Sequence, residues 1–193
     1  MFPIGDQDVR GAGIPIVSYA FLAINVLVFL YQATLGQAAL RAFIEAWGVI
    51  PAEISSGMDL HTLLTSMFMH GGWLHLIGNM LFLWVFADNI EAVIGSPLFA
   101  IFYLAGGLAA SLAHVFSAPA SSIPSLGASG AIAAVLGAYV VMFPQSRVRL
   151  LIFGGAGMRV TRTSALIFLG LWAVMQLFNG IASLGVPTAQ TSG

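Results

Sequence analysis

The chain contains no cysteine, no lysine and little charge of either sign. Without cysteine, disulfide cross-links and thiolate metal sites are excluded. Charged residues make up 7% of the 193 positions, against about 25% in an ordinary soluble domain. Six arginines against seven acidic residues leave a net charge of −1, which gives no sign of a nucleic-acid partner. The first thirteen residues, "MFPIGDQDVRGAG", lack the basic head and short apolar core of a cleaved signal peptide. The first apolar run is therefore expected to be a retained helix. What the chain has in abundance is hydrophobic sequence, 59% of it, with a mean hydropathy of +0.98. That excess runs through the whole length, so the chain belongs to the membrane class and is more than one anchor on a soluble domain.

A spanning helix needs about 20 mostly apolar residues. Candidate spans lie at about 15–35, 73–94, 97–116, 127–143 and 164–186. Segment 36–72 separates the first two and holds "ALRAFIEAWGVIP", with apolar residues at helical spacing and Arg41 four residues before Glu45. That pattern predicts a short helix lying at the membrane interface rather than crossing it. The fold class is thus all-α, a polytopic transmembrane helical bundle forming one domain within the lipid bilayer. Arg147, Arg149, Arg159 and Arg162 share the short loop between the fourth and fifth spans, and Arg10 precedes the first. If the spans zigzag, both places face the cytoplasm, with Arg41 the lone dissenter. The second and fourth helices then begin on the outer side, near Trp73 and Gly127.

Depth follows from length. Ser129 lies fifteen residues before Pro144, roughly 22 Å of helix, less than the ~30 Å hydrocarbon core. His75 lies thirteen residues before Asp88, roughly 20 Å on the same rule. Both residues are expected at similar depth, facing a protein interior or a water-filled cavity. His75 and Asn79 are four apart and share one helix face. Ser129 is flanked by Gly127, Ala128 and Gly130 and falls in the first turn of its helix, where backbone N–H groups are free and the dipole favours negative charge. A serine facing a His/Asn pair there has the parts of an acyl-transfer site: a nucleophile and donors for the oxyanion.

A plainer reading fits the same residues. The small-residue run Gly130, Ala134, Gly137 suits close helix packing, and His75 and Asn79 could hydrogen-bond between helices. His70 and His75 are five apart, a poor spacing for metal on one face, and no H-E-x-x-H motif occurs, so an intramembrane zinc protease is disfavoured. No cofactor is implied. His61 reads as a loop residue and His114 as an interface histidine near the outer end of the third span. Asp88 and Glu91 read as capping or pairing groups at the inner end of the second span.

Taken together, these segments resemble the rhomboid intramembrane serine proteases. "LTSMFMHGGWLHLIGNMLFLWVFADNIEAVIG", 64–95, is similar to the family's loop and second helix, with its histidine-to-asparagine spacing at His75 and Asn79 and its acidic residue and glycine at Glu91 and Gly95. "GASGAIAAVLGAY", 127–139, resembles the nucleophile motif G-x-S-G. "INVLVFL" in the first span and "SLG" at the end of the fifth also fit. The resemblance implies an intramembrane serine endopeptidase that cuts transmembrane protein substrates near the outer surface of a bacterial plasma membrane. Ser129 would be the nucleophile, Gly127 part of its motif, and His75, Asn79 and the Ser129 N–H the oxyanion hole. Segment 36–72 would be the family's half-embedded first loop.

Three departures accompany the resemblance. Leu60 and His61 stand where the loop motif usually carries Trp-Arg, which weakens an arginine brace. Ala134 stands where the family often has glycine, which implies slightly wider helix packing. The family's general base is a histidine in a sixth helix, and no histidine follows His114 here. Five of the usual six core helices are present, so the chain is expected to be cut before the last one. The alternative is a catalytically inactive relative that binds transmembrane clients. For His114 to serve as base, the third span would have to present it to Ser129.

Overall fold

The computed structural model describes residues 1–6, 13–154 and 157–185. Among the described residues, three helices are long and apolar enough to cross a membrane: α1 (Ile16–Thr34), α5 (Trp73–Ile94) and α6 (Ser96–Ser117). Between α1 and α5 lie α2 (Gln37–Trp47), α3 (Pro51–Ser55), α4 (Thr62–Thr65) and a 3₁₀ turn (Ser66–Phe68). α7 (Ser129–Met142) and α8 (Ala165–Gly185) follow. The fold is the helical membrane bundle expected of the sequence, with one small sheet added to it. Arg10 and the polar tail 187–193 lie outside the described residues.

α5 is the central helix. Half of its most apolar stretch is buried, against 28% for α1 and 22% for α6. Leu83, Phe86 and Ala87 are fully enclosed. α6 turns back from α5 through the single residue Gly95, whose φ of +82° lies in the left-handed region that glycine tolerates. At that end Glu91 takes on a structural task. Its carboxylate accepts the backbone N–H groups of Val17 (3.0 Å) and Ser18 (2.7 Å) and the hydroxyls of Ser18 and Ser96. A carboxylate on the otherwise unsatisfied N–H groups of the first turn of α1 complements the helix dipole and docks α1 onto α5.

α7 has 14 residues, about 21 Å, and begins two residues later than the expected fourth span. It packs on α6 through small side chains. A Cβ on Gly130 would come within 2.5 Å of the Ala110 Cβ, and one on Gly106 within 2.5 Å of the Ala134 Cβ. The widening implied by Ala134 is therefore offset, because the glycine stands on the facing helix. Gly137 has nothing near it and takes no part in this seam.

The loop expected between the fourth and fifth spans is a β-hairpin, β2 (Arg147–Gly154) and β3 (Gly157–Ser164), and β1 (Phe2–Gly5) adds a third antiparallel strand. Val148 and Leu150 alternate with Arg147 and Arg149, so one face of β2 is buried and the other carries the charge. Asp6, just past β1, accepts hydrogen bonds from the Tyr139 hydroxyl of α7 and the Asn89 amide of α5. These bonds fix the sheet at the end of α5 and α7 opposite Ser129.

Candidate active site

Ser129 is the first residue of α7, and the chain leading into it is held by segment 36–72. Val49 and Ser125 exchange backbone hydrogen bonds of 2.9 and 2.8 Å. The Gly127 N–H donates to the Ser66 carbonyl (2.9 Å), and the Ala52 N–H to that of Ser121 (3.0 Å). These four bonds pin the loop that carries the serine, so its backbone N–H groups sit in a fixed place at the helix start.

His75 is the third residue of α5, and Asn79 follows one turn later. Gly127 is the point where α5 meets the serine loop. Its φ is +132°, and a Cβ placed on it would stand 2.8 Å from both Cε1 and Nε2 of His75 and 3.8 Å from Nδ2 of Asn79. The main chain two residues ahead of Ser129 thus lies directly against the imidazole edge, and only glycine permits both the backbone angle and the approach. The Gly71 N–H makes a long 3.5 Å contact to Nδ1 of His75. That contact favours the tautomer with its proton on Nε2, the nitrogen facing Gly127.

Two residues outside the expected set hold this pair in place. The amide of Asn79 lies 3.0 Å from Nε2 of His70. The amide N–H₂ donates, so that ring nitrogen is the acceptor and His70 is neutral. The main chain of His70 is gripped by the Gln32 side chain of α1, with His70 N–H donating to Oε1 (3.1 Å) and Nε2 donating to the His70 carbonyl (3.3 Å). His70 is 1% exposed. Burial chiefly, and then the charge of His75, lower its pKa to about 4 against the opposing effect of the Phe68 backbone. Its ring meets that of His75 edge-on at 5.1 Å. A polar Gln32 inside an apolar run was the readable signal for this brace.

A cavity of about 170 Å³ opens beside Ser129, walled by Gly127 and Gly130, by Ser66 of the 3₁₀ turn, and by Ser111 and His114 of α6. His114 therefore lies in the serine's own cavity, where the sequence placed it as an interface histidine. His61, by contrast, bonds to the Ala46 carbonyl (3.2 Å) and packs edge-on to Trp47, as a loop residue. The structure brings His75, Asn79 and Gly127 into contact, with Ser129 two residues on. Among the described residues the Ser129 hydroxyl makes no hydrogen bond to either side chain. Also among the described residues, no group of three or more His, Asp or Glu could hold a metal ion.

Comparison with known proteins gives a consistent picture. The family model for the rhomboid domain matches residues 58–190. The chain is 33% identical over 135 residues to the rhomboid protease GluP of Bacillus subtilis, covering 70% of this chain and 26% of that protein. It is 32% identical over 150 residues to the mitochondrial rhomboid protein 1 of Saccharomyces cerevisiae, covering 72% and 40%. It is 33% identical over 133 residues to the human mitochondrial presenilin-associated rhomboid-like protein, covering 67% and 34%. The matched region thus spans about a quarter to two fifths of the length of these relatives.

Proposed function

Because this chain belongs to the rhomboid family of integral membrane proteins, we propose that it is an intramembrane serine endopeptidase acting on transmembrane protein substrates. Ser129 attacks the scissile carbonyl. His75, Asn79 and the Ser129 N–H donate to the oxyanion that forms, where preorganised donors contribute most. The observation that carries this reading is the approach of His75 and Asn79 to Gly127, which puts two side-chain donors beside the helix start that bears the serine. Substrate enters from the outer side of a bacterial plasma membrane, the side on which α5 and α7 begin.

A proton acceptor completes the mechanism. The resemblance implies a histidine on a further helix. His114 lines the same cavity as Ser129 and is the histidine to test as a substitute for that one. Labelling of the full-length protein by a fluorophosphonate probe tests the whole assignment. Wild type is expected to react and Ser129→Ala to lose the label, while His75→Ala and Asn79→Ala slow it by about 10²–10³-fold each. His114→Ala leaves the rate unchanged if the base lies elsewhere and abolishes it if His114 is the base. A labelled Ser129→Ala variant overturns the site. A wild type that never labels supports the client-binding alternative.

A further inference from the structure

The hairpin at the opposite end of the molecule carries an arrangement that the proteolytic reading does not use. Arg149 of β2 and Arg162 of β3 are directly paired across the antiparallel ladder, and Arg147 lies two residues from Arg149 on the same face. Like charges directly opposite one another in a sheet are destabilising. Here they are also drawn together: Arg147, Arg149, Arg162 and Asp6 line one cavity of about 250 Å³. Among the described residues, three guanidinium groups share it with a single carboxylate, and Asp6 is already engaged by Tyr139 and Asn89. Among the described residues, none of the three guanidinium groups makes a hydrogen bond or ion pair. The Arg149 guanidinium lies across Gly5, where a Cβ would come within 2.4 Å of Nη2.

Topology alone asks only that arginines be present on one side of the membrane. It does not ask them to converge. Arg159 meets the topological demand from the other face of the hairpin, opposite Ile152 and away from the cavity. Further along the arginine face, the next cross-strand pair is Leu151 with Val160, followed by Met158. Val160 and Met158 are 61% and 69% exposed. A cationic pocket beside an exposed apolar strip, at the end of a membrane bundle, matches a phosphate with acyl chains next to it.

We infer that Arg147, Arg149 and Arg162 form a binding site for a phosphate oxyanion, which offsets the paired arginines and, when it is a lipid headgroup, anchors the hairpin to the bilayer. Guanidinium forks bind phosphate oxygens bidentately, and several can share one phosphate. The site is separate from Ser129, being at the other end of α7.

The test is thermal unfolding of the whole chain in two arms. In the first, the protein is held in lipid nanodiscs of digalactosyldiacylglycerol, a bilayer lipid without phosphate, with or without phosphatidylglycerol. In the second, it is held in detergent with inorganic phosphate or with chloride at equal ionic strength. Wild type and Arg159→Gln are expected to gain apparent Tm with phosphatidylglycerol, and Arg162→Gln to gain none. A gain in the first arm alone identifies a lipid as the source. A gain in the second as well identifies the phosphate group itself as sufficient. Without either anion, Arg162→Gln is expected to melt at or above the wild-type temperature, because it removes the opposed charge. An arginine that merely supports the fold would lower it. The proposal is overturned if wild type gains nothing in either arm, if Arg162→Gln responds as Arg159→Gln does, or if Arg162→Gln melts below wild type in both media without anion.

Discussion

Gly127→Ala is the sharpest test of the site, because its two effects can be worked out separately. The first is backbone strain. An alanine at φ +132° costs about 1–3 kcal/mol. The second is a collision: the new methyl would stand 2.8 Å from Cε1 and Nε2 of His75. Non-bonded carbons rest about 3.5–4.0 Å apart, so the ring must withdraw by about 0.7–1.2 Å. A misplacement near 1 Å costs about 10²-fold in rate, comparable with losing one oxyanion donor outright. The assay pairs apparent Tm with the rate of fluorophosphonate labelling of the full-length protein in detergent. Gly57→Ala is the control. Gly57 also has a positive φ, +77°, but a Cβ there meets open space. It should lose stability through strain while labelling at the wild-type rate. A Gly127→Ala protein that stays folded and labels within a few-fold of wild type would refute the claim that this contact positions His75.

Three further outcomes are expected. Gly106→Ala, whose methyl would reach within 2.5 Å of Ala134, overpacks the α6–α7 seam by about 1–3 kcal/mol and lowers Tm, whereas Gly137→Ala, with open space around it, leaves Tm unchanged or raises it. Glu91→Gln puts an amide among four donors and should cost about 2–4 kcal/mol in chemical denaturation, with α1 first to lose protection in hydrogen exchange. For His70, held down to about pKa 4, the unfolded chain takes its proton from about pH 6.5 while the folded one resists until near 4. Its contribution is complete above 6.5 and lost as pH falls through that window, so a His70→Gln variant should show a shallower fall of Tm between pH 6.5 and 4 than wild type.

The residues differ in how readable they were, and the reason is the kind of relation each one depends on. His75 and Asn79 share a face because they are four apart within one helix, and that survives into the fold unaided. Ser129 heads α7 because small residues and a loop precede it. The brace of His70 and Gln32 depends on how α1 meets the loop before α5, which no spacing encodes. The hairpin is legible in the sequence itself. "RVRLLIF" and "MRVTRT" alternate on either side of "GGAG", a strand-turn-strand signature, yet the same arginines also answered the question of topology and so read as a loop. His114 is the most instructive case. Gly107, Ala110, Ser111 and His114 fall at i, i+3, i+4 and i+7, one stripe along α6. Two of these residues show where the stripe faces, since Gly107 meets Met67 of the 3₁₀ turn and Ala110 meets Gly130 of α7. A histidine on the small-residue stripe of a membrane helix points wherever that stripe packs. Here the stripe packs toward the helix that begins with Ser129, so the helical phase of α6 already separated a cavity histidine from an interface one.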